Sequence, residues 1–174
     1  KKEPVKLLVT GEGDGEDEIL TLRDRALEIL QNRRMSVCER VDAMLALCDG
    51  SLGERTMGEW CELLLSLERL DEGWTKLLEE LSGCWETLDY AGFADCMAAR
   101  QEEYEQLLVY FVYRHMANAV GEWDLAARAG FAALGYTMIY ALGAMLRQKN
   151  GAFSFEDQVE LARLFSSEIE YSDE

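Results

Sequence analysis

Leu107-Leu108-Val109-Tyr110-Phe111-Val112-Tyr113 decides the fold of this chain, because it is apolar in every direction around a helical turn. A helix of that kind is buried on more than one side, so the pattern from Arg100 onward predicts a helix enclosed by others. A second run follows, Phe131 to Leu146, apolar over 16 residues and flanked by Arg128 and Arg147. That falls short of the roughly 20 residues needed to span a bilayer. It is read as the buried centre of a long helix from about Asp124 to Gln148. Ala126, Ala129, Gly130, Ala133 and Gly143 are small enough to let other helices come close, and Asn150-Gly151 closes the helix.

Helical spacing continues in both directions from this centre. Ser154 with Asp157 starts a last helix, and the period puts Phe155, Val159, Ala162, Phe165 and Ile169 on its inward face. Upstream, Ile19, Leu22, Ala26, Ile29 and Leu30 recur at threes and fours from about Glu16. Ser36 with Glu39 and Thr56 with Glu59 form capping boxes, in which hydroxyl and carboxylate each satisfy a free backbone N–H. The first box opens a helix burying Val37, Val41, Met44, Leu45 and Cys48 and stopping at Gly50. The second opens one with Met57, Trp60, Cys61, Leu64 and Leu67 inside. From about Asp71 a further helix carries Trp74, Leu77, Leu78, Leu81 and Trp85, with Gly83 as its kink or its end. Tyr90 to Met97 reads as a short helix. Only Val5-Lys6-Leu7-Leu8-Val9 reads as a strand, running into the loop Gly11-Glu12-Gly13-Asp14-Gly15. The expectation is a mainly α protein, a bundle of about six to eight helices with at most that short N-terminal strand. Residues 1–174 are read as one helical domain, with 1–15 as an extended lead-in and acidic loop. A single proline, Pro4, suits a succession of helices, since proline breaks them.

Charge restricts the partners. The chain carries 34 acidic against 17 basic residues, a formal net charge of −17. Such a surface repels phosphate backbones and anionic lipid, so nucleic acid and membrane are not expected as partners, whereas a basic protein is. Five cysteines, Cys38, Cys48, Cys61, Cys84 and Cys96, lie ten or more residues apart. No close pair exists from which to draw a zinc ribbon or an iron–sulfur loop. Most occupy positions that look like helix core, and a reducing cytosol is the expected compartment. The start at Lys1, without an initiating Met, is read as the mark of an excised piece.

Few catalytic arrangements survive inspection. Glycines at 11, 13 and 15 after a strand hint at a nucleotide or S-adenosylmethionine turn, but the doubly wound fold that uses it needs further strands. An acidic loop entering a helix is the better reading. His115 is the only histidine, which excludes triads and multi-histidine metal sites, so no metal residue is assigned. Glu105, Tyr110, Tyr113, Arg114 and His115 share the apolar helix in a setting that looks buried, and they are the pocket candidates. Glu105 and Arg114 are nine residues apart and cannot face each other within one helix, so each must find partners elsewhere. Nothing among them singles out a catalytic residue.

Several segments, in order, resemble the flagellin lysine N-methylase family of bacteria. They are Leu22-Arg23-Asp24 to Leu30-Gln31-Asn32-Arg33, Ser36 to Arg40, Glu105 to Arg114, Gly121-Glu122-Trp123-Asp124-Leu125 through Phe131, and Phe155 to Ser172. The resemblance spans most of the chain but rests on packing patterns. It implies methyl transfer from S-adenosylmethionine to lysines of flagellin, in proteins with an upstream cysteine cluster that looks like an iron–sulfur ligand set. None of the five cysteines here matches that spacing. The chain would then be the helical C-terminal part of a protein-lysine N-methyltransferase, inactive alone. The other reading is a non-catalytic helical module that binds a basic protein partner.

Overall fold

The computed structural model describes residues 15–117 and 124–169, and among them every regular element is helical. The strand expected at 5–9 and most of the glycine loop lie outside the described residues. Eight α-helices follow one another: α1 (Gly15–Leu30), α2 (Val37–Leu47), α3 (Met57–Ser66), α4 (Glu72–Cys84), α5 (Tyr90–Met97), α6 (Gln101–Met116), α7 (Leu125–Asn150) and α8 (Phe155–Ile169). This is the mainly α bundle the sequence predicts. Both upstream capping boxes form, with Glu39 N–H donating to Ser36 Oγ at 3.2 Å and Ser36 N–H to Glu39 Oε2 at 2.7 Å. Thr56 and Glu59 repeat that geometry at the start of α3, and Ser154 with Asp157 repeats it before α8.

α7 is the axle of the bundle. It packs against α2, α4, α5, α6 and α8, and residues from Ala129 to Met145 are buried on all of its sides. By length and composition α7 could cross a bilayer, yet 67% of its most apolar window is buried inside the protein. It is the buried central helix that the sequence predicts. Glycine permits the closest approaches. A Cβ at Gly135 would sit 2.8 Å from the Phe111 ring and 3.0 Å from the Phe165 ring; one at Gly143 would sit 2.8 Å from Phe93. α7 ends at Gly151, whose φ of 76° is the left-handed cap that glycine adopts without strain.

Several local expectations need correction. α2 ends at Leu47, and the Gly50 N–H closes back onto Leu45 O at 2.8 Å. α4 runs one residue past Gly83, to Cys84, and passes into a 3₁₀ turn at Trp85–Thr87. Only Cys48 and Cys61 are buried; Cys38 and Cys96 are exposed and Cys84 is intermediate, because α2 and α5 turn those faces to solvent. α8 is rotated from the expected face. Phe155 and Val159 are exposed, while Gln158, Leu161, Leu164, Phe165, Glu168 and Ile169 point inward. At the far end of α8 the buried Glu168 carboxylate accepts the Leu70 N–H through Oε2 at 2.9 Å, while Oε1 has no partner.

Candidate functional site

α6 carries all five pocket candidates, and the structure distributes them to different surroundings. At its start, Glu105 is buried in an ion cluster built from the α1–α2 connection. Arg33 bonds both carboxylate oxygens, Nε to Oε2 at 3.2 Å and Nη2 to Oε1 at 3.1 Å. Arg40 Nη1 reaches Oε2 at 2.8 Å and also donates to Leu30 O at 3.0 Å. The Arg33 hydrogen bonds, seconded by Arg40, hold the Glu105 carboxyl below the usual carboxylate range against the opposing effect of burial. Every hydrogen-bonding direction of this carboxylate is directed into the protein, so Glu105 clamps α6 to α1 and α2.

The remaining four differ in exposure. Tyr113 is 63% exposed and lies under the Arg23 guanidinium, 5.2 Å from its ring centre. Arg114 is exposed. His115 is half-buried against Phe131, with ring centres 4.7 Å apart. Glu105 and His115 are separated by about 15 Å along the helix axis at 1.5 Å per residue. The buried setting expected for Tyr110, Tyr113 and Arg114 is therefore overturned.

Tyr110 opens onto a cleft. α6 and α8 lie on α7 side by side, meeting through the Phe111 and Phe165 rings at 5.5 Å. Towards their N-terminal halves they leave a groove of about 400 Å³. Glu103, Leu107 and Tyr110 form one wall and Phe155, Val159 and Ala162 the other, with Glu102 and Gln106 on the rim. Two carboxylates line this groove, and each has an arginine partner: Arg33 Nη1 lies 2.6 Å from Glu102, and Arg100, the residue before α6, lies 2.8 Å from Glu103 and over the Phe153 ring. Gln158 completes the lining; it is 3% exposed, and neither its amide oxygen nor its nitrogen has a hydrogen-bond partner. The adjacent Tyr104 hydroxyl is buried in the same state, and burial drives its pKa far up despite a smaller opposing pull from Gln158. Sequence reasoning missed α8 here, although the spacing of Phe155, Val159 and Ala162 was the available signal.

A model of the FliB lysine N-methylase C-terminal domain matches residues 56–174. The chain belongs to that family. The matched region begins at Thr56, the residue that caps α3, and takes in every helix from α3 to α8. α1 and α2, which hold Arg33 and Arg40, precede it. No curated protein and no solved structure matches the chain. The iron–sulfur cluster that the resemblance implies has no fitting donor set among the described residues, where no three His, Cys, Asp or Glu side chains gather as metal ligands. Burial raises the Cys48 and Cys61 thiols to about 11, away from the thiolate that a metal requires.

Proposed function

We propose that this chain serves a FliB-type lysine N-methylase as the part that receives the lysine-bearing protein, with flagellin as that protein and S-adenosylmethionine as the methyl donor. The observation that carries the reading is the family match over α3 to α8. The acidic balance of the chain supports it, because a net charge of −17 attracts a lysine-rich surface and speeds encounter.

The chemistry divides the labour. Methyl transfer needs the lysine amine neutral: its nitrogen lone pair attacks the methyl carbon, the carbon–sulfur bond breaks, and the sulfonium leaves as a thioether. The lysine proton must already have gone to a base. Carboxylates beside a lysine do the reverse, since an opposite charge favours the ammonium form. The acidic surface of this chain is therefore suited to attracting cationic side chains and unsuited to activating one as nucleophile. Recognition belongs to this face, and the transfer belongs elsewhere in the working enzyme.

The test is direct. Flagellin incubated with the intact protein and S-adenosylmethionine is expected to gain mass in whole methyl steps, mapped to lysines by peptide fragmentation. Flagellin of unchanged mass, under conditions in which the protein is folded and the donor is bound, would end the methylase reading.

A further inference from the structure

The groove between α6 and α8 has the form of a vacant seat in a helical bundle. On α6 its wall residues are Glu103, Leu107 and Tyr110, and on α8 they are Phe155, Val159 and Ala162. Both sets follow the same spacing, four residues and then three. That spacing places one stripe on each helix, and two adjacent stripes of this kind accept the ridge of a third helix between them. The side chains on the stripes are not covered by the protein. Phe155 is 59% exposed, Val159 49% and Tyr110 42%, although each is apolar over most of its surface.

Charge selects among occupants. Glu102, Glu103 and Glu160 beside the groove are paired with Arg33, Arg100 and Arg163, so the charge that acts on an occupant is that of the exposed Glu156 and of the acidic chain as a whole. A second copy of the chain would set −17 against −17. A helix with basic flanks meets the chain with opposite charge. The third observation is independent of both. Gln158, 3% exposed and lining the groove, carries an amide whose two polar atoms lack partners in the free protein. Buried amides in native proteins are bonded as a rule, so one beneath a groove marks a position where an occupant supplies polar groups.

We infer that the α6–α8 groove is a docking site for a basic amphipathic helix of a partner protein, its apolar stripe seated between Leu107–Tyr110 and Phe155–Val159 and its lysines or arginines drawn by Glu156 and the net negative charge of the chain. Helix-in-groove recognition reads the partner through apolar anchors at spacings of three and four, and charge on the rim sets orientation and encounter rate. The site does not depend on methyl transfer and would serve equally in a protein without that activity.

The experiment uses a fluorescent synthetic helix with leucine at alternating spacings of three and four and lysine on both flanks, titrated with the protein and followed by anisotropy. Saturable binding is expected, weakening as salt is raised. Phe155→Ser with Val159→Ser is expected to cut affinity by at least about tenfold, the equivalent of losing one buried large apolar side chain. These positions are exposed, so circular dichroism and melting temperature should stay as in the parent chain. A helix of the same composition with scrambled leucine spacing should bind at least about tenfold more weakly. Equal binding of the scrambled helix, or insensitivity to the double substitution, would overturn the proposal. So would a dimer in sedimentation that Phe155→Ser dissolves, which would assign the groove to a second copy. A gain of more than about tenfold on removing residues 1–14, whose Lys1, Lys2 and Lys6 are themselves basic, would assign it to the chain's own lead-in.

Discussion

The two flanks of α6 are built on opposite principles. Toward α1 and α2, the helix meets its neighbours through charge. Glu105 is held by Arg33 and Arg40, and Arg40 also donates to Met35 O at 2.9 Å and Leu30 O at 3.0 Å. Toward α8, apolar side chains line an open groove while the polar atoms of Gln158 and Tyr104 go without partners. A flank sealed by paired charges is finished within the chain itself. A flank that exposes phenyl and isopropyl groups above unbonded amides is not, and this difference separates the structural side of α6 from the side proposed to bind.

The contrast can be broken by substitution, and the largest effect belongs to the sealed flank. Glu105→Gln leaves Arg40, whose side chain is only 6% exposed, without its counter-charge, and about 3 kcal/mol of stability should be lost. Thermal melts check this, with a drop of about 6–12 °C expected for a chain of this size. The pH dependence carries a definite sign. Because the Glu105 carboxyl titrates lower in the folded state than its ordinary value of 4.5, it stabilises the fold fully above that pH. The contribution disappears as pH falls through the lowered value, so the parent chain should lose melting temperature on acidification more steeply than Glu105→Gln.

A middling effect is expected where α6, α7 and α8 converge. Gly135→Ala places a methyl group 2.8 Å from Phe111 and 3.0 Å from Phe165, and both rings are fully buried. Overpacking of about 1–3 kcal/mol, offset by about 1 kcal/mol of helix propensity, leaves a net loss of about 1 kcal/mol in urea unfolding. A stabilised Gly135→Ala would show that the rings yield freely, and the junction would then be as loose as the groove beside it. The smallest effect belongs to the open flank. Phe155→Ser should change the melting free energy by less than about 0.5 kcal/mol, because a side chain 59% exposed contributes little to the fold.

Legibility in the sequence followed how local the determining interactions are. The capping boxes at Ser36, Thr56 and Ser154 were readable because each is closed by a residue three positions away. α7 was readable because an unbroken apolar run with small residues has one satisfactory place, the middle. The face of α8 was not. Two stripes on it share Phe165 and Ile169, and the one with the better apolar residues, Phe155 and Val159, is the one left outside. The inward stripe includes Gln158 and Glu168, which a hydrophobic pattern rejects, and the partner that accommodates Glu168 is Leu70 N–H, 98 residues distant. The same limit applied on α6. An apolar run gives no sign of which side will remain bare, and the partners of Glu105 come from two arginines before α6 in the chain. The family resemblance was legible at Glu105 to Arg114 and Phe155 to Ser172, both inside the matched residues 56–174. The groove between those stretches follows from tertiary arrangement alone.

The Glu168–Leu70 hydrogen bond has a further consequence. It fastens the end of α8 to the connection between α3 and α4, at the opposite end of α8 from Phe155. α8 is thus pinned there by a hydrogen bond in addition to its packing on α7, with the groove wall at the other end. An occupant that tilted α8 would lengthen that bond, and exchange of the Leu70 amide proton would then report events at the groove from the far end of the helix.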